Sequence, residues 1–144
     1  RSSRCVAPLT SAASPAFGKN MTDPEVIMSK AVATTRLIVH DKALEAAGRA
    51  VKLVMRVPAP LKSIADQVIR SASSVPANLA EGHGRSGRDR LHHWRIAYAS
   101  AKEVDSHMRL LVRAGGINRT KASRALSTFD EVRAMTWRLI NRKS

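Results

Sequence analysis

From Leu61 to Leu79 an apolar side chain returns every three or four positions: Leu61, Ile64, Ala65, Val68, Ile69, Ala72, Val75, Leu79. That period places all eight on one side of an α-helix and excludes a strand, whose faces alternate every second residue. Three further segments repeat the pattern. Leu91, Trp94, Ala97, Tyr98, Ala101, Val104, Met108, Leu111 and Val112 form one stripe, and Ala122, Ala125, Leu126, Phe129, Val132, Thr136 and Ile140 another. Before them, Leu44, Ala47, Val51, Val54 and Met55 give the best stripe of the first segment. Each stripe covers only part of its helix, so each helix needs partners. Four amphipathic helices with short joints predict an all-α, antiparallel up-down four-helix bundle.

Breakers divide the chain at matching places. Pro58-Ala59-Pro60 ends the first helix, Gly82-His83-Gly84 the second and Gly115-Gly116 the third. Helices are therefore expected at about 38–57, 60–82, 87–114 and 119–141. Asp23 or Asp41 fits a first cap, and whether 25–40 forms a separate turn stays open. Ser86 with Asp89 resembles a capping box, and Asn118 or Thr120 can cap the fourth helix. Pro76 predicts a kink in the second helix, or two shorter helices with a turn at Ser73-Ser74. Residues 24–144 thus read as the bundle and residues 1–23 as a flexible basic extension. Its first 22 residues hold Arg1, Arg4 and Lys19 without an acid. Vector-derived residues, a transit-like leader and a native tail all fit it; Pro8 and Pro15 argue against a secretory signal.

Charge narrows the partners. With 25 Lys and Arg against 11 Asp and Glu the net charge is +14 over 144 residues, which favours polyanions and nucleic acid first. Five aromatic residues are too few for a stacking platform on single strands. The lone Cys5 excludes an internal disulfide framework and fits a reducing, cytoplasmic setting. No apolar run reaches the roughly 18 residues of a membrane span. From residue 82 onward there are 14 basic residues and 5 acidic ones, and none of the acids lies between His107 and Phe129.

One row stands out. Arg88, Arg95, Lys102 and Arg109 recur every seven residues, with Arg113 one turn further. Each step of seven drifts by only about 20°, so the five share a narrow face away from the Trp94–Met108 stripe. From 88 to 109 that row is roughly 30 Å long. Asp89, Glu103 and Asp105 fall off its line, and a row without acids suits a phosphate backbone. The candidate nucleic-acid-binding set is Arg85, Arg88, His92, Arg95, Lys102, Arg109, Arg113, Arg119, Lys121 and Arg124. An ordinary solvated face is the competing reading.

Other chemistry finds little footing. The adjacent His92-His93 point to different helix sides, and His83 and His107 lack metal-ligand spacing, so no metal or other cofactor is expected. Gly82-His83-Gly84-Arg85-Ser86-Gly87 has no strand before it and no Gly-Lys-Ser or Gly-Lys-Thr after it, which weakens a phosphate-loop reading. No serine has a placed histidine and acid, and no enzyme is expected. Arg70, Ser74, Asn78 and Glu81 interrupt the second apolar stripe or lie beside it. Buried, each needs a partner; Glu81 and Glu103 are candidates to meet Arg70 or Arg85 across the bundle, fixing helix register.

The block Gln67–Gly82, read QVIRSASSVPANLAEG and followed by Gly84-Arg85-Ser86, resembles the signature of a bacterial four-helix-bundle family. That family is named for proteins encoded in intervening sequences of large-subunit ribosomal RNA genes. Lys42-Ala43-Leu44, Ala99-Ser100 with Glu103, and Gly116-Ile117 also match, so the resemblance covers about residues 36–141. It departs before residue 36, at Ser71, and at His40 and Val51, where relatives often place larger rings. The resemblance implies a ring-like homopentamer with no catalytic residues. A related branch comprises the accessory variability proteins of diversity-generating retroelements, basic pentamers that associate with a reverse transcriptase and its nucleic acid. Ser74, Pro76, Asn78, Glu81, Gly82 and Arg85 carry over as structural motif residues, beside Arg70 and Glu103.

Overall fold

The computed structural model describes residue 20 and residues 22–142, without the side chains of residue 25 and residues 28–37. The extension expected over 1–23 lies outside the described residues except for 20, 22 and 23. Four helices follow in order: α1 (Pro24–Val54), α2 (Lys62–His83), α3 (Gly87–Arg113) and α4 (Arg119–Ile140). Among the described residues there is no strand. Short connections make sequential helices run antiparallel, with α1 and α3 each packed against both α2 and α4.

α1 differs most from expectation. It starts at Pro24 rather than near residue 38, and residues 25–40 form no separate turn. Proline suits a first turn, where its missing N–H would have no helical partner. Asp23 occupies the cap position in extended backbone, yet its side chain makes no capping bond, and Asp41 lies inside the helix. The helix ends at Val54, before Val57, because the residue preceding a proline is pushed out of helical geometry. Its buried face also differs. Leu44 and Met55 are 50% and 72% exposed, while Val39, Ala43, Ala46, Ala47, Ala50 and Val54 are buried. Small side chains at the contact let helix axes approach closely.

The remaining helices bury the stripes read from their sequences. Phe129, Met108, Leu111, Val68, Val75, Val104 and Val132 are fully buried. A 3-10 turn at Ala59–Leu61, between Pro58 and the first residue of α2, replaces the expected helix start at residue 60. α2 then runs unbroken through the buried Pro76, so the two-helix alternative fails. The capping box at Ser86 does not form: Ser86 takes the cap geometry, but Asp89 turns back to Arg85 instead. α3 closes in a Schellman motif, with Gly115 at φ +73° and the N–H of Gly116 donating 2.9 Å to the Leu111 carbonyl. Asn118 caps α4, its Oδ1 accepting from the Lys121 N–H at 3.0 Å.

Candidate functional site

The five cations of the α3 row are all exposed, as is His92. Arg88, Arg95, Lys102 and Arg113 make no ion pair among the described residues. Arg109 does: its Nε donates 2.8 Å to Asp105 Oδ2, which holds the guanidinium proton more tightly. The row therefore is not free of acid. Asp105 sits four residues earlier, one turn away, and reaches Arg109 along the helix. Its other oxygen, Oδ1, is buried with no hydrogen bond among the described residues.

Arg85 is paired with two carboxylates. Its Nη1 donates 2.7 Å to Asp89 Oδ2 and its Nε 2.8 Å to Glu81 Oε1. Hydrogen bonds from Arg85 lower both carboxyls below the usual carboxylate range. With two acids on one guanidinium, the cluster carries net negative charge. Arg70 and Glu81 are exposed rather than buried in the stripe, and Glu103 is exposed and pairs with neither Arg70 nor Arg85.

The other predicted cations divide into two places at one end of the bundle, where α1 and α3 finish and α2 and α4 begin. Arg109, Arg113 and Arg119 line a groove of about 460 Å³ between α3 and α4, with Ser123, Ser127 and Asp130. Lys121 and Arg124 lie on the other side of α4, in a cleft of about 950 Å³ shared with Arg49 and Lys52 of α1 and Arg56 of the turn that follows it. Those three cations were not among the expected residues. They lie some 70 residues away in sequence, and only the docking of α1 beside α4 brings them close.

Between α2 and α3 runs a chain of polar side chains. Ser100 Oγ donates 3.0 Å to Ser74 Oγ, and Asn78 Nδ2 donates to both the Ser74 Oγ at 3.0 Å and the Ser74 carbonyl at 2.9 Å. His93 Nδ1 lies 3.1 Å from Asn78 Oδ1. Since the Asn78 oxygen only accepts, this contact requires the Nδ1–H form of His93. Ser74 and Asn78 are both hydrogen-bonded here, joined by His93 and by Ser100, neither of which was among the expected site residues. Ser71 is buried and donates 2.7 Å to the Gln67 carbonyl. At the end of α2, Gly82 lies against Trp94: a Cβ there would stand 2.6 Å from the indole Cδ1 and Nε1. Arg90 stacks over the same ring at 5.7 Å.

The motif block therefore works as the seam of the α2–α3 pair, and this fold and seam invite comparison with known proteins. The profile of the 23S rRNA-intervening sequence proteins matches residues 35–138. The chain belongs to that family. One crystal structure has a fold similar to that of this chain. That structure is of a protein with unknown function from the S23 ribosomal protein family of Bacteroides thetaiotaomicron. It is similar to this chain at 28% identity with a TM-score of 0.68, over 74% of this chain and 97% of that one. No curated protein matches the sequence. Among the described residues no helix is long and apolar enough to cross a membrane, and no group of three or more His, Cys, Asp or Glu could hold a metal ion.

Proposed function

We propose that this member of the 23S rRNA-intervening sequence family is a non-catalytic accessory protein that binds RNA or DNA through backbone phosphates. The observation that carries the reading is the exposed α3 line of Arg88, Arg95, Lys102 and Arg113, unpaired among the described residues. Arg109 and Arg119 extend it into the α3–α4 groove. Such cations release condensed counterions from a phosphate backbone without reading base sequence. The protein acts as a cytoplasmic homopentameric ring, in which several weak faces share one strand and gain affinity together. Exposed Leu44, Leu110 and Trp137 support contacts between copies. In a retroelement setting, a reverse transcriptase is the protein partner, and the ring holds template beside it.

A salt titration with labelled RNA and duplex DNA tests this. Four phosphate contacts per chain give a slope of log affinity on log salt near −3.6 for duplex DNA, and engagement of several subunits makes it steeper (roughly −0.9 per neutralised phosphate). Arg88→Glu with Arg95→Glu should abolish binding while the oligomer elutes unchanged. Unaltered affinity in that double variant would overturn the α3 interface. No binding at low salt favours the alternative, an interaction scaffold whose contacts centre on the same exposed apolar side chains.

A further inference from the structure

The cleft between the end of α1 and the start of α4 is a second cationic feature, on the opposite side of α4 from the α3 row. Lys52, Arg56, Lys121 and Arg124 line it, and none makes an ion pair among the described residues. Arg49 also lines it but is held by Glu45 on its own helix. No carboxylate lines the cleft. Protein surfaces usually intersperse charges of both signs, and a concave patch of one sign concentrates its field on counter-ions.

The floor has a different chemistry. Leu53, Met55 and Ile117 present apolar surface. A phosphate backbone passing over the surface has no use for such a floor. A ligand that satisfies both parts carries several negative charges at one end and a flat, weakly polar body at the other. We propose that this cleft binds a nucleoside 5′-polyphosphate, free or as the terminal unit of a strand. The four unpaired cations hold the phosphates by charge-assisted hydrogen bonds. The base lies on the Leu53, Met55 and Ile117 surface. A cavity of about 950 Å³ is within the size range of small-molecule sites. The proposal does not rest on the α3 interface, since it uses different residues and a different part of the ligand.

Calorimetric titration of the full chain at low salt with ATP and with inorganic tripolyphosphate tests it. ATP should bind saturably and more tightly than tripolyphosphate, and Met55→Ala should narrow that gap. Lys121→Ala with Arg124→Ala should weaken ATP by at least about tenfold, since it removes two charged contacts. Arg70→Ala with Arg138→Ala, which lowers net charge equally, should leave ATP affinity within about twofold, as expected for screened distant charges. Circular dichroism checks that both double variants remain folded; should the first melt early, Arg56→Ala replaces it. Two RNAs of one sequence separate the sources. A 5′-triphosphorylated RNA that outbinds its 5′-hydroxyl twin and displaces ATP identifies a strand end; equal RNA affinities beside ATP binding identify the free nucleotide. Absence of saturable ATP binding, equal affinity for ATP and tripolyphosphate, or equal losses in both double variants would overturn the proposal.

Discussion

Replacing Gly82 with alanine sets two known effects against each other. In a helix interior Gly→Ala normally stabilises by about 1 kcal/mol, through the smaller backbone entropy lost on folding. At Gly82 the added Cβ would stand 2.6 Å from two indole atoms of Trp94 and 3.1 Å from the Arg90 carbonyl. Ordinary carbon contacts lie near 3.5–4.0 Å, so the ring must retreat by about 1 Å. Trp94 is only 4% exposed, and its indole is rigid and wedged between α2 and α3. Overpacking of this kind costs about 1–3 kcal/mol, with up to about 1.5 kcal/mol more for an off-rotamer side chain. The net expectation is destabilisation by about 1–3 kcal/mol. Gly48 provides the reference: it is exposed in α1 with nothing within 4 Å of its added Cβ. Gly48→Ala should stabilise by about 1 kcal/mol. Urea unfolding followed by circular dichroism measures both, and an unchanged denaturant slope keeps the comparison within two-state terms. If Gly82→Ala is as stable as Gly48→Ala, the reasoning about the Trp94 contact is wrong.

Two further outcomes follow from the seam and from the charge cluster beside it. Asn78→Ala removes the bonds to Ser74 and leaves His93 Nδ1 without its acceptor, so stability should fall by about 1–3 kcal/mol. Its polyanion affinity should stay at the wild-type value, and lost binding with an unchanged melting temperature would contradict a structural role. Arg85 depresses the pKa values of Glu81 and Asp89 in the folded state. Their contribution is therefore present above the unfolded carboxylate values, near 4, and is lost as pH falls through the folded ones. Arg85→Gln should lower the melting temperature slightly at pH 7, with the gap from wild type narrowing as pH falls below about 4. A gap that persists in acid would show that Arg85 acts through packing.

The inward faces of α2, α3 and α4 were legible because large apolar residues mark them at helical spacing. α1 was misread for a physical reason. Two of its large apolar side chains, those of Leu44 and the capping Met55, point to solvent, while alanines with little hydrophobic signal occupy much of the contact beside Val39 and Val54. The pairing of Arg109 with Asp105, and of Arg85 with Glu81 and Asp89, was present as i, i+4 spacing. Angular sorting into lines obscured it, since long side chains reach across neighbouring lines. Ser74 and Asn78 were recognisable as polar residues in an apolar stripe, but nothing local to α3 singled out His93 and Ser100 as their partners. The cationic cleft depended on α1 meeting α4, which no local pattern encodes.

The alanine face of α1 makes the protein's tolerance of substitution directional. Where α3 and α4 meet the core, Met108 and Phe129 can be exchanged for smaller residues, and the damage is the void left behind. At Ala43, Ala46 and Ala50, each 0% exposed, glycine is the only smaller choice. A larger replacement there has no free space to enter and must push neighbouring elements apart. Those alanine positions therefore fail by crowding, whereas Met108 and Phe129 fail by emptying. A substitution such as Ala→Val, harmless on most helix surfaces, becomes along α1 a change of interhelical distance, and so of the cleft between α1 and α4.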